Sequence, residues 1–165
     1  MNIDPSRGDE LYAEDVFQVL LEYEISRSIR YPSPLSMIFI EFGASGYGSA
    51  EPGNTSTVFA RALNRHLRSV DIPSGTGNQI KILLPTTAAN GLLAVCERLL
   101  SVFKNELSSP DGSPIAFSLN LGAVSHAGGK SISREFLLEN AALALEQSKL
   151  KGPNTFALLS FTKVG

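Results

Sequence analysis

Cysteine, histidine and basic residues are too scarce in this chain of 165 residues to support the functions they most often signal. The single cysteine, Cys96, excludes an intrachain disulfide and suits a reducing compartment. It stands in a stretch of helical character and reads as core filler, not as a nucleophile. The two histidines, His66 and His126, have no second ligand nearby in sequence, so a metal site is not expected from them. With 14 Lys and Arg against 16 Asp and Glu, the net charge is -2 and the pI about 5.7. That balance gives no general attraction to a nucleic acid polymer or an anionic membrane, so an anionic ligand would need a local cluster. No apolar run is long enough for membrane insertion, and the opening MNIDPSRGDE lacks the charged and apolar regions of a signal peptide. The chain therefore reads as cytoplasmic. The Gly-rich GASGYGS segment lacks the lysine and the spacing of a phosphate loop, and no internal repeat or low-complexity tract is present.

What the chain does have is 43% apolar residues and 18% charged ones, enough for one good core. Residues 1–10 are polar and turn-forming and read as a flexible arm, leaving 11–165 as a single domain. From Leu11 to Arg30 a helix is expected, with Phe17, Leu21, Ile25 and Ile29 as its stripe, stopped by Pro32 and Pro34. LSMIFIEF, residues 35–42, is a nearly continuous apolar run, the mark of a central strand covered on both faces and broken only by Glu41. A Gly, Ser and Pro-rich loop to Asn54 leads to a second helix, capped by Thr55 and running to about Arg68. A third helix, capped by Thr86 or Thr87, passes through Leu92, Cys96, Leu99 and Phe103. Ile115 to Ser125 alternates as a strand. Ser133 opens a fourth helix with Phe136, Leu137, Ala141, Ala144, Leu145 and Ser148 inward, Lys149 and Lys151 suit its C-terminal dipole, and Gly152 with Pro153 stops it. Phe156 to Phe161 supplies the last strand.

Between the second and third helices lies RSVDIPSGTGNQIKILLP, residues 68–85. Ser74, Gly75, Thr76, Gly77 and Asn78 interrupt two apolar runs with residues that turn easily, which predicts a β-hairpin over about 70–85. Two strands joined by a hairpin and others joined through helices make an α/β (α+β) domain, a mixed five-stranded sheet flanked by helices. Arg68 and Asp71, at the foot of the hairpin, form an RxxD pair. A guanidinium can fork onto a phosphate or a guanine edge and a carboxylate can accept from guanine N–H groups. A purely structural reading is also open: an arginine at a helix C-terminal dipole beside an exposed Asp71 that begins a strand.

Four phrases in order, EISRSIRYPSPLSMIFIEF, RSVDIPSGTGNQIKILLPTT, SLNLGAVSH and LLENAALALEQSKLKGPNTF, resemble the GGDEF domains of bacterial diguanylate cyclases over nearly the whole chain. The resemblance implies a palm-like sheet with flanking helices. In active members of that family two GTP-loaded domains meet and make cyclic di-GMP with two divalent metals, which need acidic ligands and a cationic phosphate clamp. Here the signature hairpin tip is TGNQI, one residue short: Gly77 remains, Asn78 stands for the second glycine, and the acidic pair is replaced by Gln79 or lost. Glu41 occupies the family's first metal-binding position, where it is either a vestigial ligand or simply the partner of a neighbouring cation, and Gly43 stands at the second. Lys149 matches a phosphate-binding lysine, while Pro153 replaces the arginine expected between Gly152 and Asn154. A neutral amide is a poor substitute for a carboxylate on a hard cation. The resemblance thus implies a degenerate, catalytically inactive domain with no metal or bound cofactor. The RxxD pair lies where the family carries its inhibitory site, with five residues, Ile72 to Thr76, between Asp71 and Gly77. Cyclic di-GMP held by Arg68 and Asp71 is therefore one expected ligand, and a protein partner or a homodimer is the other expectation. Residual GTP binding without turnover is the alternative.

Overall fold

The computed structural model describes residues 10–43, 52–76, 78–105 and 118–162. The elements follow as α1 (Glu14–Arg30), β1 (Leu35–Gly43), α2 (Pro52–His66), β2 (Ile72–Thr76), β3 (Gln79–Pro85), α3 (Ala89–Asn105), β4 (Ser118–His126), α4 (Arg134–Lys151) and β5 (Thr155–Phe161). They build one five-stranded sheet in the order β2-β3-β1-β4-β5. All pairings are antiparallel except β4 with β5, so the sheet is mixed.

β1 is the central strand, and side-chain alternation divides it between two helical layers. Ile38, Ile40 and Phe42 join Ile80, Ile82, Leu119 and Leu121 under Phe59, Leu63, Leu92, Cys96, Leu99 and Phe103 of α2 and α3. Phe42 stacks on Phe59 at a centroid distance of 4.2 Å, and Phe103 meets Phe59 edge-on at 4.9 Å. On the other face Leu35 and Met37 join Leu83 and Val124 under Phe17, Leu21 and Ile25 of α1 and Leu137 and Ala141 of α4. Phe39, Glu41, Lys81, Gln79 and Asn120 share this second face by register.

Several expected boundaries move for local reasons. α1 starts at Glu14, not Leu11, because Tyr12 bridges to β2 instead: its N–H donates to Pro73 O at 2.9 Å. Its buried face is Phe17, Leu21, Ile25 and Ser28, and Ile29 is 40% exposed. At about 100° per residue, a position eleven after Phe17 returns to within about 20° of it and one twelve after lies about 120° away. α2 starts at Pro52, a residue suited to the first helical turn, and ends at His66, so Thr55 lies inside it and Arg68 beyond it. α3 starts at Ala89, where the Ala88 carbonyl accepts from Leu92 N–H, and neither threonine caps it. The hairpin is tighter than expected: Thr76 pairs with Gln79, so Ser74 and Gly75 are strand residues. The expected start of β4 at residues 115–117 and the Gly77 position lie outside the described residues. Ser133 caps α4 as expected, accepting from Phe136 N–H at 3.0 Å.

α4 lies directly on β4, and one glycine permits it. A Cβ on Gly122 would sit 2.1 Å from Leu145 N and 2.5 Å from Ala141 O. Those atoms are helix backbone and cannot swing away. Gly122→Ala should therefore destabilise the domain by about 3 kcal/mol or more through overpacking. Gly91→Ala, in α3 with its nearest neighbour at an ordinary 3.5 Å, should stabilise by about 0.5–1 kcal/mol through helix propensity. Urea unfolding of the two variants beside wild type measures both signs.

Candidate functional site

The close approach of α4 to the sheet delivers its last turn to the end of β1, β3 and β4. There the side chains of Glu41, Gln79 and Lys149 meet. Lys149 Nζ lies 2.7 Å from Glu41 Oε2, and Gln79 Nε2 donates to Glu41 Oε1 at 3.1 Å. Both carboxylate oxygens are thus engaged. Lys149 also reaches Glu146, one turn back on α4, at 3.2 Å. The ammonium holds the Glu41 carboxyl below its usual range, with the Gln79 bond helping, and Glu41 in turn raises Lys149. Asn78 contributes backbone: its carbonyl accepts from Phe42 N–H at 3.0 Å and ties the hairpin to the end of β1.

A second polar group adjoins the first. Asn120 faces Glu41 across the β1–β4 ladder, and its amide donates to Ser148 Oγ and Gly152 O, both at 2.9 Å. Ser148 is fully buried and donates to Thr155 O at 2.8 Å. Asn154, in the left-handed region with φ of 60°, turns its side-chain oxygen to Leu119 N–H at 3.0 Å. The KLKGPN sequence is therefore a connector that fixes where α4 stops and β5 begins. Asn120 and Thr155 did not stand out in the sequence. The available signal was an amide inside an otherwise apolar strand, since a buried polar group requires partners.

Arg68 and Asp71 are brought together, but with each other and away from Glu41's cluster. Asp71 is 2% exposed, not the exposed residue of the structural reading. Its carboxylate accepts from Arg68 N–H at 2.8 Å, from Arg68 Nη2 at 2.7 Å and from Nε at 3.2 Å. Nη2 also donates to Pro85 O and Thr87 Oγ1, both at 2.8 Å. The pair staples the end of α2 to the exit of β3. Burial of Asp71 follows from its position as the last residue before a strand that enters the sheet. The Arg68 side chain remains 49% exposed.

Known structures share this arrangement of elements. The GGDEF domain of YfiN (TpbB) from Pseudomonas aeruginosa superposes with a TM-score of 0.76 at 20% identity, covering 91% of this chain and 97% of that one. The GGDEF domain of DgcB from Caulobacter crescentus, solved in complex with c-di-GMP, superposes at 0.78 with 15% identity, covering 96% and 97%. This chain has the GGDEF-domain fold. The diguanylate cyclase SiaD from Pseudomonas aeruginosa, solved with its activator SiaC, matches at 0.74 and 19% identity over 92% of this chain, which spans 58% of the SiaD chain. No family model and no curated sequence matches the chain.

For this GGDEF-like domain, the donors at the cluster do not fit a divalent-metal centre. The carboxylates of Glu41 and Glu146 and the amide of Gln79 gather around the Lys149 ammonium, which is the cation already present. Among the described residues no group of three or more His, Cys, Asp or Glu stands close enough to hold a metal ion, whereas hard cations take several oxygen ligands. Gly43, at the end of β1, supplies no side-chain donor. Cys96 is fully buried and its thiol is pushed up to about 12 by burial, which leaves it no thiolate at neutral pH. His66 is half-buried at the end of α2, where its carbonyl accepts from Arg98 Nη2 at 3.2 Å. His126 is buried: its Nδ1 accepts from Gly128 N–H at 2.8 Å and its Nε2 lies 2.9 Å from Ser131 Oγ. No helix among the described residues is long and apolar enough to cross a membrane.

Two outcomes follow from these contacts. Arg68→Ala leaves the Asp71 carboxylate buried without its fork and should destabilise by about 2 kcal/mol, below the usual cost of breaking a buried pair because Arg68 is half-exposed. Arg68→Lys should recover less than half of that, since an ammonium lacks the planar fork; urea unfolding reads both. Burial lowers the His126 pKa, so the unfolded chain takes up this proton first. The contribution of His126 is fully present above the ordinary histidine value of about 6.5 and declines as pH falls through it. Thermal melts between pH 7.5 and 5 should show this slope, and it should flatten in His126→Asn.

Proposed function

We propose that the chain is a catalytically inactive GGDEF-like signalling domain that acts through interaction with a protein, through cyclic di-GMP sensing at Arg68 and Asp71, or through both. The observation that carries the loss of catalysis is the engagement of both Glu41 oxygens by Lys149 and Gln79. A metal ligand and a phosphate-binding lysine that pair with each other must part before either can serve a metal or a phosphate. Gln79, where the family has an acidic residue, supports the same reading by donating to the carboxylate it would otherwise repel. The signature positions Gly77, Asn78 and Gln79, with Glu41 and Lys149, are then vestiges that have become structural contacts. Relatives in fold have been solved with an activator protein and with c-di-GMP, and this domain is read as keeping such regulatory roles.

The sensing arm rests on Arg68. Its side chain is half-exposed, and a guanidinium edge presented at the surface suits a phosphate or the edge of a guanine. Asp71 orients that edge from beneath. Residual GTP binding without turnover is the alternative reading, and it requires the Glu41–Lys149 pair to open.

Incubation with GTP and magnesium or manganese should give no cyclic di-GMP above a no-protein control, and product would overturn the inactive reading. Calorimetry should show cyclic di-GMP binding that Arg68→Ala abolishes while circular dichroism reports an unchanged fold. Absence of heat at high micromolar ligand would remove the sensing arm. GTP binding without product would favour the alternative.

A further inference from the structure

The last residue of β4 is a buried histidine whose two ring nitrogens are both engaged. Gly128 N–H donates to His126 Nδ1 at 2.8 Å, and Nε2 lies 2.9 Å from Ser131 Oγ. A nitrogen that accepts carries no hydrogen, so the neutral ring holds its proton on Nε2 and donates it to Ser131. Leu35 of β1 and Phe161 of β5 stand opposite His126 in the sheet, and Phe136 of α4 meets the ring edge-on at 5.0 Å.

The turn that His126 holds is also the seat of α1. Gly128 and Gly129 both have φ of 99°, a conformation that glycine reaches without strain. The space beside Gly128 is filled: a Cβ there would lie 2.5 Å from Ser33 O and 2.8 Å from Ser28 Oγ. Gly129 N–H donates to Ser28 O at 3.1 Å, and Ser28, on the buried face of α1, donates through Oγ to Ser33 O at 2.8 Å. One backbone bond to an imidazole nitrogen thus fixes a turn that packs against the end of α1 and its connector to β1.

Protonation is incompatible with this arrangement. An imidazolium carries N–H on both nitrogens and accepts nothing, so a proton on Nδ1 would face the Gly128 N–H donor to donor. No carboxylate compensates. Among the described residues, the charged groups on the surrounding segments are Lys130 before α4, Arg134, Glu135 and Glu139 in the first turns of α4, and Glu24, Arg27 and Arg30 in the last turns of α1. None of them shifts the His126 titration, which burial alone lowers. β5 carries no charge, and Glu41 of β1 is at the opposite end of the strand, paired with Lys149.

We propose that His126 is a pH-sensitive latch on α1: its neutral ring pins the turn at residues 127–129 against Ser28 and Ser33, and a proton taken up at Nδ1 releases that turn and with it the end of α1. The closed state excludes the proton. The open state, with the ring in water, takes it up at the ordinary histidine value of about 6.5, so acid selects the open state. The latch lies at the other end of β1 from the Glu41 cluster and is independent of whether Arg68 binds a nucleotide.

Amide exchange of the full chain, followed by NMR between pH 7.5 and 5 and corrected for the intrinsic exchange rate, tests the latch. Protection of Gly128 and Gly129 should fall by up to about tenfold per pH unit below about 6.5, because opening takes up one proton. Ile38 and Ile40, in the middle of β1, should keep theirs. The ring nitrogen shifts should place the neutral hydrogen on Nε2. His126→Asn, whose side-chain oxygen offers an acceptor that does not titrate, should keep both glycines protected across the range. Constant protection in the wild type overturns the proposal, as does hydrogen on Nδ1 at pH 7.5, an equal loss in the variant, or a loss shared by Ile38 and Ile40, which would be global unfolding. If the variant does not fold, the wild-type measurements decide alone.

Discussion

The double-sided burial of β1 governs this domain. A strand with a helical layer on each face must send alternate side chains in opposite directions into apolar surroundings. Ile38, Ile40 and Phe42 do so toward α2 and α3, and Leu35 and Met37 toward α1 and α4. Polar chemistry is thereby confined to the end of the strand, where the layers thin and Glu41 emerges. The Glu41 cluster is assembled there from what the neighbouring strands and the end of α4 supply.

That assembly depends on how close α4 can approach. Gly122 lets the helix backbone rest on β4 without a side chain between them, and the small Ala141, Ala144 and Ser148 keep the contact tight. Lys149 is delivered to Glu41 as a result. The connector through Gly152 and Asn154 then turns the chain at once into β5, with the amide of Asn120 holding both ends of the turn. The ion pair between Glu41 and Lys149 closes there. Away from it, a buried Asp71 and a half-exposed Arg68 make a structural staple between the end of α2 and the exit of β3.

Much of the fold was legible locally. The apolar run of β1, the Ser133 cap, the glycine and proline stop after α4 and the hairpin all follow from short-range rules, and the mixed sheet follows from their order. Boundaries were legible less well where a tertiary contact overrode a local preference. Tyr12 bridges to β2 instead of extending α1, and Thr87 serves Arg68 instead of capping α3. The slip of Ile29 out of the α1 stripe came from counting in fours along a helix that turns every 3.6 residues.

The sequence by itself determined the types of element, their order, and the absence of acidic residues from the hairpin tip, because these depend on backbone preference and side-chain identity at single positions. Only the tertiary structure decided that Glu41, Gln79 and Lys149 meet, that Asp71 is buried under Arg68, and that Tyr12 covers the β2 edge of the sheet. Those facts depend on distances between segments far apart in the chain. Residue type states what a group can bond to, and packing decides what stands within reach.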